Sequence, residues 1–144
     1  MNLELNSVLV KEVSWVKMGS EIASIRRRVF VEEQGVPLEL EWDGQDEYAL
    51  HVVAFSNDQA RATGRLLPNG HLGRMAVLRE FRGHGIGSQV LEVLLAIAMR
   101  EKIAPIFLHA QLSARSFYIR HGFRACGEIF EEAGIAHIRM ELRP

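Results

Sequence analysis

Along residues 7–16 apolar and polar side chains alternate with a two-residue period, which predicts a first strand with Trp15 near its end. From Gly19 the spacing changes. Ile22, Ile25 and Val29 fall three and four residues apart, opposite Arg26, Arg27 and Arg28, which predicts an amphipathic helix with the arginines on its solvated face. That helix is expected to fray near Gln34-Gly35, and Pro37 opens a loop carrying Glu39, Glu41, Asp43, Asp46 and Glu47 around Trp42. Strands over 49–55 and 59–67 form a hairpin about Ser56-Asn57-Asp58, and Pro68-Asn69-Gly70 turns the chain into a strand over 71–78. A helix follows to about Lys102, apolar around most of its circumference and so expected to be deeply packed. After Pro105 an apolar strand spans 106–110, and a crossover of this length predicts that the two flanking strands run parallel in one sheet. Ser113 is placed to cap a short helix ended by Gly122, and strands over 123–129 and 135–142 close the chain around 131–134. The pattern is that of an α/β chain: a mixed sheet with helices on its faces.

Composition narrows the classes. A length of 144 residues predicts one domain, 1–144, large enough for a real core. With 17 basic against 18 acidic residues there is no broad field favouring nucleic acid or an anionic membrane. The single cysteine, Cys126, permits no internal disulfide and fits a reducing cytoplasm. With no signal pattern and no bilayer-length apolar run, a cytoplasmic domain is expected.

The chemistry concentrates at Arg82-Gly83-His84-Gly85-Ile86-Gly87-Ser88, between a strand and a helix start. Glycines at alternate positions leave backbone N–H groups open, and the first helical turn adds unpartnered N–H groups and partial positive charge, a setting suited to phosphate. A nucleoside-triphosphate loop would need Lys after the glycines, and none follows. A dinucleotide fingerprint would want Gly at 88, where Ser stands, and an acid near the end of the next strand, which reads Leu108-His109-Ala110-Gln111. The remaining pattern, Arg82-x-x-Gly85-x-Gly87, resembles the pyrophosphate loop of the GCN5-related N-acetyltransferases. A glycine-rich turn without a ligand is the bland alternative.

The order of elements is similar to that family throughout, and Ala114 to Phe123 resembles its Ala-x-x-Phe-Tyr-x-x-x-Gly-Phe segment. Arg28 to Pro37, Glu41-x-Asp43-x-x-Asp46 followed by His51, Arg65 to Pro68, and Gly134 to Met140 resemble the ElaA/YjcF-like group of small bacterial acetyltransferases; Ala133 departs from the polar residue expected there. The resemblance implies acetyl-CoA as co-substrate, with its pyrophosphate on residues 82–88 and Gln111 also at the cofactor. The backbone of Met75, Ala76 and Val77 would lie along the acyl arm, in a splay between two parallel strands. It implies Tyr118 as the acid toward the coenzyme sulfur. For the base, Glu33 leads because the family places the acceptor near that helix and loop, with His51, His109 and His137 as rivals, since imidazoles ionise near neutrality. Gln34 joins Glu33 and these histidines as an acceptor-side candidate. The acidic loop could draw a cationic amine or merely be solvated. No His/Cys spacing suggests a metal, and none is expected. Cys126, in an apolar strand pattern, reads as a buried inert thiol rather than an acyl carrier, so direct transfer in a ternary complex is expected. Two classes stay open: an N-acetyltransferase acting on a small-molecule amine (amino sugar, polyamine or amino acid derivative) or a protein amine, and a non-catalytic acyl-CoA-binding module. A homodimer is common in the family.

Overall fold

Ser14 decides where the first strand stops. In the computed structural model, which describes residues 7–142, β1 (Val8–Val13) gives way directly to α1 (Trp15–Arg26), because the Ser14 hydroxyl accepts the Lys17 N–H at 3.2 Å as an N-cap. The helix therefore begins at Trp15, four residues before the expected change of pattern at Gly19. It then widens into a π-helical stretch, Arg27–Glu33, whose last turn carries N–H bonds from Gln34 to Val29 O and from Val36 to Phe30 O. Such wide turns are rare and are frequently found at functional sites. Arg27 and Arg28 are solvated as expected, but Arg26 is only 1% exposed.

Arg26 is buried because the following loop closes over it. Within that loop α2 (Leu38–Glu41) is a single turn, and a 3-10 turn at Asp46–Tyr48 leads into β2 (Leu50–Ser56). The Arg26 guanidinium donates to Glu41 Oε1 and, at 2.7 Å, to Asp46 Oδ1. Asp46 also accepts from Arg65 at 3.1 Å, and Asp43 accepts from Arg65 at 2.6 Å. Breaking a buried pair of this kind costs about 3–5 kcal/mol, because it strands the remaining charge.

The strands β2, β3 (Gln59–Leu66) and β4 (Leu72–Val77) continue an antiparallel sheet in the order β1-β2-β3-β4. A 3-10 turn and the glycine loop then lead into α3 (Ile86–Arg100). A Cβ on Gly64 would lie 2.7 Å from Leu94, so α3 rests on that face of β3, whereas the neighbouring Arg65 points to the opposite face, toward α1. Burying Ile86, Val90, Leu91, Leu94 and Ile97 of α3 contributes of the order of 10 kcal/mol before the entropy of ordering them is subtracted.

After α3, β5 (Ile106–Gln111) leads through a 3-10 turn to α4 (Arg115–Arg120), and β6 (Phe123–Glu132) and β7 (Ile135–Leu142) complete a second antiparallel sheet in the order β5-β7-β6. Ser113 lies inside the 3-10 turn and does not cap α4. The full parallel pairing expected of β4 and β5 is reduced to one bridge, His71 with Phe107. The Phe107 N–H donates to Gly70 O at 3.0 Å, and a Cβ on Gly70 would lie 2.0 Å from Pro105 O. With φ +93, Gly70 is the residue that lets the sheets touch here. Beyond this junction β4 and β5 belong to different sheets, and the wedge between them is the site. The expected α/β class stands, as two antiparallel sheets flanked by helices.

Candidate active site

β4 reaches the wedge with a bulge. Thr63 faces Ala76 and Arg65 faces Gly73, so Gly64 alone stands opposite Arg74 and Met75. Arg74 takes the left-handed conformation there, φ +49, which a non-glycine residue adopts only when its surroundings hold it. The bulge borders a cavity of about 690 Å³ that runs from Gly87, Arg82 and Val77 at one end, past Tyr118 and His109, to Arg74 and Asp43 at the other.

At the glycine-loop end, Gly83 (φ +82) and Gly85 (φ +79) are left-handed, and a Cβ on either would meet nothing within 4 Å. Their backbone therefore lies open beside the unpartnered N–H groups at the start of the fifteen-residue α3. That geometry fits a pyrophosphate: open backbone, an anion-favouring helix start and Arg82 alongside. The His84 side chain is exposed, Ile86 is buried in the core, and the Ser88 hydroxyl is 3.0 Å from His121 Nε2. Ala76 also packs in the core, so what β4 offers the cavity at 75–77 is the Met75 and Val77 surface and the strand's backbone.

Arg82 is not free. Its Nε donates to Val77 O at 2.9 Å, and its two terminal nitrogens grip both oxygens of Glu33 at 2.5 and 2.7 Å. These hydrogen bonds hold the Glu33 carboxyl below its ordinary range. Glu33, the leading expectation for the base, is thus a carboxylate already engaged with a guanidinium and poorly placed to take a proton. Its neighbour Gln34 accepts from Gln111 Nε2 at 2.8 Å, which brings an acceptor-side candidate and a cofactor-side one together across the cavity.

Tyr118 packs between Phe117 and Phe123, with ring centroids 5.0 and 5.8 Å away, and lines the cavity. Burial pushes its phenol up to about 12, so it remains a proton donor throughout the neutral range.

The histidines separate. His51 is 1% exposed, stacks on Trp15 at 5.2 Å and donates from Nε2 to Asp46 O at 2.8 Å. It lies outside the cavity lining, and burial lowers its pKa. The expectation that it contacts substrate is corrected: His51 fastens the acidic loop. His109 and His137 do line the cavity, joined by two residues the sequence did not single out, His71 and Glu132. His109 Nδ1 is 3.1 Å from Glu132 Oε1, and among the described residues its Nε2 has no hydrogen-bond partner. His137 Nδ1 is 2.7 Å from Ile135 O, with its Nε2 3.8 Å from Glu132 Oε2. His71 stacks on Phe107 and lies 4.7 Å from His109; burial, then the proximity of His109, brings its pKa down to about 4. Among the described residues no group of three or more His, Cys, Asp or Glu is disposed to hold a metal. Cys126 is half-exposed rather than buried, and stands outside the cavity lining.

Comparison with known proteins adds a family. A model described as an acetyltransferase (GNAT) domain matches residues 15–144. YjcF of Bacillus subtilis (strain 168), an uncharacterized N-acetyltransferase, is 34% identical over 120 residues, spanning 81% of this chain and 86% of that protein. The crystal structure of an acyl-CoA N-acyltransferase from Pseudomonas aeruginosa superposes with a TM-score of 0.84 at 31% identity, covering 95% of this chain and 100% of that one. That of Escherichia coli ElaA does so with 0.85 at 27%, covering 94% and 99%.

Proposed function

Because the chain belongs to the GNAT acetyltransferase family, and is accordingly an N-acetyltransferase, we propose that it moves an acetyl group from acetyl-CoA to a primary amine of a small-molecule acceptor by direct attack in a ternary complex. The observation that carries the reading is one continuous cavity with an anion-suited helix start at one end and Tyr118 and the His109–Glu132 pair along it. A cytoplasmic location and a homodimer, expected from composition and resemblance, belong to the same reading.

Each chemical demand then has an owner. Arg82, His84 and the backbone of Gly83, Gly85, Ile86, Gly87 and Ser88 bind the pyrophosphate, and Gln111 lies beside the cofactor arm. An ammonium must lose a proton before it attacks. His109 Nε2 takes that proton, while Glu132 accepts the Nδ1–H and so fixes the tautomer that leaves Nε2 open. The amine nitrogen bonds to the thioester carbon, and backbone N–H groups of Met75 and Val77 meet the oxyanion. As the C–S bond breaks, the Tyr118 hydroxyl gives its proton to the leaving thiolate; the nitrogen's remaining excess proton and the one held by His109 pass to solvent, from which Tyr118 is reprotonated. Glu33 serves as counter-ion to Arg82, with Gln34 and His137 at the acceptor side.

The test is coenzyme A release from acetyl-CoA across an amine panel, run on the unaltered protein, Tyr118→Phe and Glu132→Gln. Amine-dependent release is expected, with kcat lowered about 100-fold or more in Tyr118→Phe, less in Glu132→Gln, and the KM for acetyl-CoA changed far less. Binding of acetyl-CoA without release across the panel would replace the enzyme with a binding module.

A further inference from the structure

The acceptor end of the cavity is not the anionic mouth that its sequence suggests. Glu41, Asp43 and Asp46 are matched by Arg26, Arg65 and Arg74, so three carboxylates face three guanidinium groups and the local charge cancels. Hydrogen bonds from Arg65 and the charges of Arg65 and Arg74 outweigh burial and hold the Asp43 carboxyl down to about 2, so it stays an ion in this role. What is left unmatched is hydrogen-bond donors. Arg74 uses only Nη2, toward Leu40 O, Glu41 O and Asp43 Oδ2 at 3.4, 3.1 and 3.3 Å. Its Nη1 carries no hydrogen bond among the described residues, while its Nε is buried 3.8 Å from Glu41 Oε1, and the Nε of Arg65, a residue 3% exposed that also borders the cavity, is buried without a hydrogen bond.

The backbone gives the same direction. Arg74 sits at the β4 bulge with φ +49, a conformation that only its surroundings hold in place, and the bulge brings this guanidinium to the cavity wall. Next to it Gly73 leaves open space, since a Cβ there would meet nothing within 4 Å. Burial and the neighbouring Arg65 also make the Arg74 charge less comfortable than an arginine's usually is, so an arriving anion is welcome and a second cation is not.

We propose that the acceptor carries a carboxylate besides its amine, and that Arg74 at the β4 bulge receives that carboxylate while the amine lies toward His109. The inference rests on the acyl-transfer reading and narrows its substrate class to amino-acid-like amines. Polyamines, which bring a further positive charge to Arg74, are disfavoured.

The experiment compares glycine, β-alanine and 4-aminobutyrate, each against its own carboxamide, as acceptors for the full chain with saturating acetyl-CoA. For at least one pair the acid is expected to exceed the amide by about tenfold or more in kcat/KM, chiefly through KM, the range that a charge-assisted hydrogen bond supplies. In Arg74→Gln the acid-to-amide ratio should fall toward one, and Arg74→Lys should restore part of it. Calorimetric titration of the coenzyme A-saturated protein with the same pairs gives a readout independent of turnover. If no amine is acetylated yet the acids still bind in preference to the amides, acyl transfer fails and the carboxylate site stands. Amides that react or bind as well as the acids in the unaltered protein would overturn the proposal even if Arg74→Gln does not fold, and so would a preference unchanged in that variant.

Discussion

Glu33 and Arg82 hold each other at the mouth of the cavity, and this pairing changes what each can do. Arg82 is the full positive charge beside the helix start, yet in the ligand-free protein its two terminal nitrogens already face a carboxylate. On the proposed reading, an incoming pyrophosphate competes with Glu33 for them. Glu33→Gln should therefore tighten coenzyme A binding by up to about fivefold, the range expected of a partly exposed ion pair. Calorimetry checks this, and weaker binding in the variant would show that Glu33 positions Arg82 rather than competes for it. Both residues stood out in the sequence, but their contact spans 49 positions and no local pattern announces it. Glu132 and His71 were missed for a similar reason. One ends a strand beside a turn and the other stands just before a strand, and only the meeting of two sheets brings each to His109.

Most elements were legible because helix and strand periods are local properties. The first helix shows where that fails. Arg26 shares an arginine run with two solvated neighbours, and its burial comes from carboxylates 15 and 20 residues away. The wide-turned stretch Arg27–Glu33 has no composition of its own to reveal it. The Gly70 junction was read only as a turn, yet it bears the contact between β4 and β5. Gly70→Ala should cost about 3 kcal/mol or more, or prevent folding, since it adds a methyl 2.0 Å from a carbonyl oxygen and strains a positive φ. Gly73→Ala, three residues on, meets open space and should leave the thermal midpoint nearly unchanged. Equal shifts in the two variants would remove Gly70 from its structural role.

The molecule as a whole should lose stability from one side of the pH scale. His71 has a folded pKa of about 4, below the imidazole's ordinary value near 6.5. Between those values the unfolded chain takes a proton that the folded chain refuses, so stability falls as pH drops from about 6.5 to 4. Asp43, held to about 2, adds stability that is complete above the ordinary carboxylate value near 3.9 and is lost as pH falls from there toward 2. Urea midpoints should decline in two successive stages on acidification, and His71→Phe should flatten the first. The glycine loop, the segment around Tyr118 and the order of elements together pointed to the family, but not to the expected single sheet being two. That division has a consequence for how such a protein can change over generations. In the proposed reaction, one wall of the wedge, with the loop at 82–88, meets the part of the donor that never varies, and the opposite wall and the bulge meet whatever amine is offered. Substitutions at positions such as 74 or 132 can thus retarget the chemistry while cofactor recognition drifts under separate selection.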